Sequence, residues 1–276
     1  MRVLIVGRGF LGSNLERHIR SDCRIAVSSC SHNEILQVDF DGYDCVLSAC
    51  LHPSFFTERY TESIDVDLTI AKRLVERSFG GRFYSLGSRR VYGKSEELVF
   101  HSEQNSQKLP LLENYSKNKA ASETNISRTS LNFCILRLSN VFGAELGRST
   151  FFGTMISSAV RNGKITMSIS PTTRRDFLPV SLFAEMVAKL ILQNSDERIV
   201  NIGSGIAIQI GKLVEVFSAE FEKANRPLEI TFDNVANDQF GMDVSLFREI
   251  TGSAPARLTD ILEAVRTLGN FYAKRW

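Results

Sequence analysis

The stretch that decides the fold is RVLIVGRGFLGSNL, residues 2–15. A continuous apolar run, typical of a strand buried on both faces, leads directly into a glycine-rich turn and a helical pattern. The G-x-G-x-x-G spacing permits a tight turn and lets a pyrophosphate approach the backbone N–H groups that open a helix. We therefore predict a dinucleotide-binding strand–turn–helix unit. Its expected cofactor-binding residues are Gly7, Arg8, Gly9, Phe10, Leu11 and Gly12.

Further apolar runs alternate with helical patterns as far as about residue 143. The predicted strands of this half lie at residues 2–6, 24–27, 34–40, 44–50, 81–88 and 133–139. Buried strands separated by helices predict an α/β fold with a doubly wound parallel sheet of the Rossmann type. We assign residues 1–142 and about 178–205 to this domain, and about 143–177 and 206–276 to a smaller C-terminal α/β lobe.

The composition is that of an ordinary globular protein. Of 276 residues, 43% are hydrophobic and 23% charged, and the formal net charge is +2, which is not the footprint of a nucleic-acid-binding protein. The sequence lacks an apolar window of about 18 residues, and its histidines and cysteines follow no metal-ligand spacing. We expect a cytoplasmic protein with no membrane, nucleic-acid or metal partner.

The residues after the second predicted strand bear on the cofactor. An NAD site usually has an acidic residue there, which holds the ribose 2′-hydroxyl. Here Ser28 and Ser29 follow the strand without an acid, and Arg8 in the glycine turn offers a matching charge for a 2′-phosphate. We therefore expect NADP (NADPH) to be favoured, with NAD as the alternative, and assign Ser28 and Ser29 to the cofactor site.

The stretch LENYSKNKAASE, residues 112–123, carries a tyrosine and a lysine four positions apart. On a helix this spacing puts Tyr115 and Lys119 on one face. A nearby ammonium group stabilises a phenolate and so lowers the pKa of a tyrosine hydroxyl. The pair is therefore a candidate proton-transfer device.

Three further stretches fall in order around this pair: FYSLGSRRVYG (83–93), LRLSNVFG (136–143) and RRDFLPVSLFAE (174–185). Together with the glycine turn and Y-x-x-x-K, they resemble the extended short-chain dehydrogenase/reductase family, which contains NAD(P)-dependent sugar-nucleotide epimerases, dehydratases and ketoreductases. The resemblance runs from residue 1 to about 205. It implies a nucleotide-diphosphate-sugar substrate, which the smaller lobe would bind, and a homodimer.

The resemblance also implies roles for individual residues. The implied catalytic residues are Ser88, Tyr115 and Lys119, with Tyr115 and Lys119 also at the cofactor. The implied substrate-binding residues are Ser88, Asn140 and Arg175. Asp39, followed by Phe40, matches the position that contacts adenine. One departure is Asp65, which stands where the family often has asparagine.

The residues after Ser88 bear on the reaction. The family's 4,6-dehydratases have carboxylates there, whereas this chain has Arg89 and Arg90, which cannot replace them. We predict NADPH-dependent reduction of a nucleotide-diphosphate 4-keto-6-deoxysugar. The alternatives are an NAD-dependent sugar-nucleotide 4-epimerase and, from another class, a non-catalytic NAD(P)-sensing protein.

Overall fold

The structure is a computed structural model that describes residues 1–105, 110–233 and 238–275. Its strands are β1 (Arg2–Val6), β2 (Ala26–Cys30), β3 (Cys45–Ser48), β4 (Arg82–Ser88), β5 (Phe100–His101), β6 (Asn132–Leu138), β7 (Asn140–Phe142), β8 (Lys164–Met167), β9 (Arg174–Pro179), β10 (Ile199–Ile202), β11 (Ala207–Gln209), β12 (Glu229–Phe232) and β13 (Gly241–Met242). Its α-helices are α1 (Phe10–Ile19), α2 (Val66–Glu76), α3 (Asn114–Ser127), α4 (Phe151–Asn162), α5 (Val180–Gln193), α6 (Ile210–Lys223), α7 (Ser245–Thr251) and α8 (Leu258–Ala273).

Six strands form the central sheet in the order β10-β6-β4-β3-β1-β2, and every neighbouring pair is parallel. The order reverses between β1 and β3, because the chain builds first to one side of β1 and then to the other. This is the doubly wound α/β fold predicted from the sequence. In such sheets ligands bind outside the carboxyl ends of the strands at the reversal point, and the glycine turn follows β1 there.

The continuous apolar run of β1 is explained by helices on both faces of the sheet. Val3 and Ile5 belong to one apolar cluster, which includes residues of α1 and α5. Leu4 and Val6 belong to a second cluster, which includes residues of α2 and α3. Because successive side chains of a strand point to opposite faces, a strand between two helical layers must be apolar at every position.

A third apolar cluster lies outside the sheet and joins α4, α6 and α8 with β8 and β9. Its residues come from two parts of the chain, 142–177 and 208–273. The division into two domains at the boundaries given above stays a prediction. In a short segment after residue 238, β13 pairs with β5, and Phe240 forms a β-bridge with Arg175.

Two element assignments from the sequence were inaccurate. The strand predicted over 34–40 is wrong, since residues His32–Gln37 form a 3₁₀ helix. Ser31 and Glu34 form a capping box that starts this helical turn, and such a box satisfies N–H groups that a strand would leave to a neighbour. The second strand lies at Ala26–Cys30, two to three residues later than predicted.

Within the described ranges, none of the helices is long and apolar enough to cross a membrane.

Candidate active site

The glycine turn is crowded at Gly7 and Gly12 and open at Gly9. Gly7 has φ +110°, and a Cβ there would lie 2.9 Å from the Ala49 carbonyl group. A Cβ on Gly12 would lie 1.9 Å from the Gly7 carbonyl oxygen. By contrast, a Cβ on Gly9 would meet nothing within 4 Å, and Gly9 caps α1 without a side-chain hydrogen bond. The open space at a free helix N-terminus fits a pyrophosphate, so the residues present suit an NAD(P) cofactor.

Arg8 is fixed at the carboxyl end of β2. Its Nη2 donates to the Ser29 carbonyl oxygen at 2.7 Å and its Nε to Ser29 Oγ at 3.3 Å. This guanidinium therefore lies near the expected position of the 2′ group of the adenosine ribose in a bound dinucleotide. Ser28 is the preceding residue of the strand and points to the opposite face, so the structure brings Ser29 but not Ser28 to Arg8.

An acidic residue near this position was missed from the sequence. Glu34 Oε2 lies 3.6 Å from Arg8 Nη1 and accepts a hydrogen bond from the Ser31 N–H at 2.6 Å. The S-x-x-E spacing of Ser31 and Glu34 is the signal that could have found it. A carboxylate therefore lies beside the guanidinium at the end of β2. The hydrogen bonds from Ser31 lower the pKa of Glu34.

The predicted Tyr115–Lys119 pair lies on α3 as expected from its spacing. Lys119 is buried, and its Nζ donates to the Leu86 carbonyl oxygen at 2.9 Å and pairs with Asp67 at 3.2 Å. Burial acts to lower the pKa of Lys119, but the negative charge of Asp67 and its hydrogen bond to Lys119 outweigh it and the pKa is raised. Lys119 therefore stays protonated although it is buried.

The ring of Tyr115 is half-buried and held by two side chains. Phe56 stacks on it with ring centroids 4.8 Å apart and planes within 5°. The guanidinium of Arg90 lies 5.9 Å from the centre of the same ring. Phe56 lies outside the sequence motifs described above, whereas Arg90 belongs to the stretch 83–93.

Ser88 ends β4, two residues after the carbonyl group that binds Lys119. Its Oγ accepts a hydrogen bond from the Arg90 N–H at 3.2 Å and so caps the following 3₁₀ turn. The turn is fastened to the start of α3, because Arg90 pairs with Glu113 and Lys94 pairs with Glu113 at 2.6 Å. These contacts bring the Ser88 turn and the Tyr115–Lys119 helix together.

The predicted substrate residues Asn140 and Arg175 lie on the neighbouring strands β7 and β9. Asn140 Nδ2 donates to the Asp176 carbonyl oxygen at 3.2 Å, and Arg175 Nε donates to the Asp238 carbonyl oxygen at 2.8 Å. Burial and the nearby Arg89 cation lower the pKa of Arg175 to about 10.

Arg89 and Asp238 form a buried ion pair at 2.5 Å that sequence reasoning missed. The Arg89 guanidinium also lies 3.8 Å from the centre of the Phe240 ring. Asp238 is 149 residues from Arg89 along the chain, and no sequence signal linked the two. The pair anchors the segment after residue 238 beside the Ser88 turn, where guanidinium groups of Arg89, Arg90 and Arg175 gather.

The assignment of Asp39 and Phe40 to the adenine stays a prediction. Phe40 is buried in the apolar core and lines a cavity with Asp44, which precedes β3, and Arg82, which begins β4. These lie at the amino ends of the strands, opposite the edge that carries the glycine turn. Asp39 is exposed, and its carboxylate accepts the Asp41 N–H at 3.1 Å.

Within the described part of the chain, no group of three or more His, Cys, Asp or Glu side chains could hold a metal ion.

A glycine turn at the reversal point of a parallel sheet, with a buried lysine four residues after a tyrosine, defines an NAD(P)-dependent oxidoreductase of the extended short-chain dehydrogenase/reductase type. The chain belongs to the NAD dependent epimerase/dehydratase family, whose model matches residues 3–203. The fold, the family and the enzyme class predicted from the sequence are thereby confirmed.

Known proteins resemble the chain in sequence and in structure. A dTDP-6-deoxy-L-talose 4-dehydrogenase (NAD(P)(+)) of Kitasatospora kifunensis is 28% identical over 222 residues, covering 73% of this chain and 67% of that protein. RMD from Pseudomonas aeruginosa complexed with NADPH superposes with a TM-score of 0.80 at 19% identity, covering 100% of this chain and 99% of that one.

A UDP-N-acetylglucosamine 4-epimerase from Methanobrevibacter ruminantium M1 superposes with a TM-score of 0.79 at 17% identity, with 100% and 99% of the two chains covered. At such low identities the solved structures show the shared fold and nothing finer.

Proposed function

We propose that the protein reduces the C4 ketone of a nucleotide-diphosphate 4-keto-6-deoxysugar with NADPH. The observation that carries the proposal is the buried, charged Lys119 beside Tyr115 and the Ser88 turn. The resemblance to a curated dTDP-6-deoxy-L-talose 4-dehydrogenase supports both the reaction class and the 6-deoxysugar.

Ser88, Tyr115 and Lys119 have separate tasks in this proposal. NADPH, when bound, supplies a hydride to the ketone carbon. Tyr115 gives its phenolic proton to the ketone oxygen, and Lys119 stabilises the phenolate that remains. Ser88 Oγ accepts a bond from the Arg90 N–H, so its own proton is free to donate to the same ketone oxygen.

The cationic residues near the Ser88 turn support a diphosphate-bearing substrate. Arg89 is matched by Asp238, while Arg90 and Lys94 share Glu113. Arg175 contacts the Asp238 backbone carbonyl oxygen and therefore adds a further charge to the cluster. The excess of positive charge in this cluster would be relieved by an anion, and guanidinium groups suit the oxygens of a diphosphate.

The choice of cofactor rests on the end of β2. Arg8, held against Ser29, favours the 2′-phosphate of NADPH, because a guanidinium binds a phosphate with charge-assisted hydrogen bonds. Glu34 favours NAD, since a carboxylate can accept a hydrogen bond from a ribose 2′-hydroxyl and repels a 2′-phosphate. An NAD-dependent 4-epimerase is therefore the second candidate.

The deciding experiment incubates the purified protein with NADPH and a dTDP-4-keto-6-deoxysugar, and follows loss of reduced cofactor and the product at C4. Stoichiometric consumption of NADPH with formation of a C4 alcohol supports the reductase. Interconversion of C4 epimers of a finished sugar nucleotide without net use of cofactor supports the epimerase and overturns the reductase. Tyr115→Phe serves as the inactive control in both assays.

A homodimer and a cytoplasmic location stay predictions. Sedimentation of the purified protein tests the first.

A further inference from the structure

A buried carboxylate lies next to the candidate catalytic lysine. Asp67 belongs to the first turn of α2, and its side chain, like that of Lys119, is 4% exposed. Its Oδ2 lies 3.2 Å from Lys119 Nζ, and its Oδ1 accepts a hydrogen bond from Ser48 Oγ. Ser48 is the last residue of β3, so three elements meet at this carboxylate.

Such an arrangement is costly unless each charge is matched. Removing a carboxylate and an ammonium group from water costs several kcal/mol for each ion, which is recovered only with close pairing and further hydrogen bonds. Asp67 meets this condition through Lys119 and Ser48, and Lys119 through Asp67 and the Leu86 carbonyl oxygen. The network therefore fixes the ammonium group to one position between α2, α3 and β4.

We propose that Asp67 is a positioning residue of the candidate catalytic pair: it fixes the Lys119 ammonium group and offsets part of the positive charge that acts on Tyr115. This inference rests on the catalytic roles given to Tyr115 and Lys119 under the proposed function. A cation that is partly offset stabilises the phenolate less, so the phenol keeps its proton to higher pH. That suits a tyrosine whose task is to donate a proton in the reductive direction.

Other charged or titratable side chains face the same pair: Cys50, Asp65, Arg90 and Glu123. Asp65 is occupied by the Leu68 N–H and by two side-chain hydroxyl groups. Glu123 pairs with Arg137 at 2.7 Å. Among the side chains the structure describes, Asp67 is thus the carboxylate in hydrogen-bond contact with Lys119, and its removal should affect the pair most.

The test compares Asp67→Asn with the wild-type protein. Tyrosinate absorbance is titrated for each, and the signal of Tyr115 is obtained by subtracting the matching Tyr115→Phe protein. We expect the ionisation of Tyr115 to move about one pH unit lower in Asp67→Asn, from a charge removed several ångströms away. The high-pH limit of ketone reduction should move by the same amount.

Two further variants test whether the effect is specific to the contact between Asp67 and Lys119. Asp65→Asn removes a buried carboxylate from the same helix start without touching Lys119, and its shift should be less than half as large. Ser48→Ala removes the second hydrogen-bond donor to Asp67. The Asp67 carboxylate then interacts more strongly with Lys119, so the ionisation of Tyr115 should move to higher pH in this variant. This variant also tests the inference if Asp67→Asn does not fold.

An unchanged Tyr115 titration in Asp67→Asn and Ser48→Ala, with activity lowered equally at every pH, would overturn the inference and leave Asp67 a purely structural residue. A shift to higher pH in Asp67→Asn would overturn it as well. The absorbance titration needs no substrate. It therefore distinguishes failure of this inference from failure of the proposed reaction, which instead appears as full activity in Tyr115→Phe or as no consumption of NADPH.

Discussion

The ring of Phe56 lies parallel to the ring of Tyr115, with centroids 4.8 Å apart. Phe56 is 58% exposed, so its burial contributes little to stability. A stacked aromatic pair is worth about 1 kcal/mol beyond the area it buries.

We therefore expect Phe56→Ala to lower kcat about fivefold through a less ordered Tyr115, with little change in the free energy of unfolding. Steady-state kinetics and denaturant unfolding measure the two quantities. Phe271→Ala, which removes a partly exposed ring packed on Tyr272 in α8, is the matched control. Equal losses of kcat in both variants would contradict a specific role for Phe56.

The contact between Arg8 and Ser29 predicts the origin of cofactor preference. Arg8→Ala should weaken NADPH binding about tenfold and leave NADH binding nearly unchanged, because a charge-assisted hydrogen bond to the 2′-phosphate is lost. Direct binding titrations measure both affinities, and Arg17→Ala, an exposed arginine of α1, is the control. A stronger affinity of the wild-type protein for NADH would show that Glu34, and not Arg8, determines the cofactor preference at the end of β2. It would also favour the epimerase.

The glycines of the turn should respond differently to alanine. Gly9→Ala should fold normally, since a Cβ there meets nothing within 4 Å, but should weaken the binding of both cofactors. Gly12→Ala should lower the free energy of unfolding strongly, since its Cβ would lie 1.9 Å from the Gly7 carbonyl oxygen. Thermal unfolding and cofactor titration separate these outcomes. Normal cofactor binding by Gly9→Ala would exclude a ligand from that space.

The buried pair of Arg89 and Asp238 should matter for stability. Asp238→Asn is expected to lower the free energy of unfolding by about 3 kcal/mol, because it leaves a buried guanidinium without its counter-ion. Glu62→Gln breaks an exposed pair with Lys72 and should change it by less than about 1 kcal/mol. Similar midpoints of denaturant unfolding in the two variants would show that Arg89 finds another partner.

Glu145 predicts a pH dependence of stability. Its side chain is fully buried, and burial raises its pKa from 4.5 to about 7. The folded state therefore holds a proton that the unfolded state releases, so stability from this group is present below pH 4.5 and is lost as pH rises through about 7.

Glu145→Gln should accordingly raise the free energy of unfolding by about 3 kcal/mol at pH 8 and by little near pH 4. Denaturant unfolding at both pH values measures the difference. A gain of equal size at the two pH values would mean that the substitution acts through packing and not through ionisation.

Prediction from the sequence succeeded where local patterns are tied to backbone geometry. The apolar run of β1 and the spacing of Gly7, Gly9 and Gly12 identified the strand, the turn and the helix, and the four-residue spacing put Tyr115 and Lys119 on one helix. It failed over residues 34–40, where a local capping box formed a 3₁₀ helix in an apolar segment that resembled a strand. The same misreading hid Glu34 from the cofactor argument.

The sequence by itself determined the doubly wound fold and the family, because periodicity, glycine spacing and motif order are properties of neighbouring residues. Only the tertiary structure decided the partners of the charged groups: Asp67 beside Lys119, Glu34 beside Arg8 and Asp238 beside Arg89. Electrostatic pairing depends on distance in space, and folding brings the Arg89–Asp238 pair together across 149 positions of the chain.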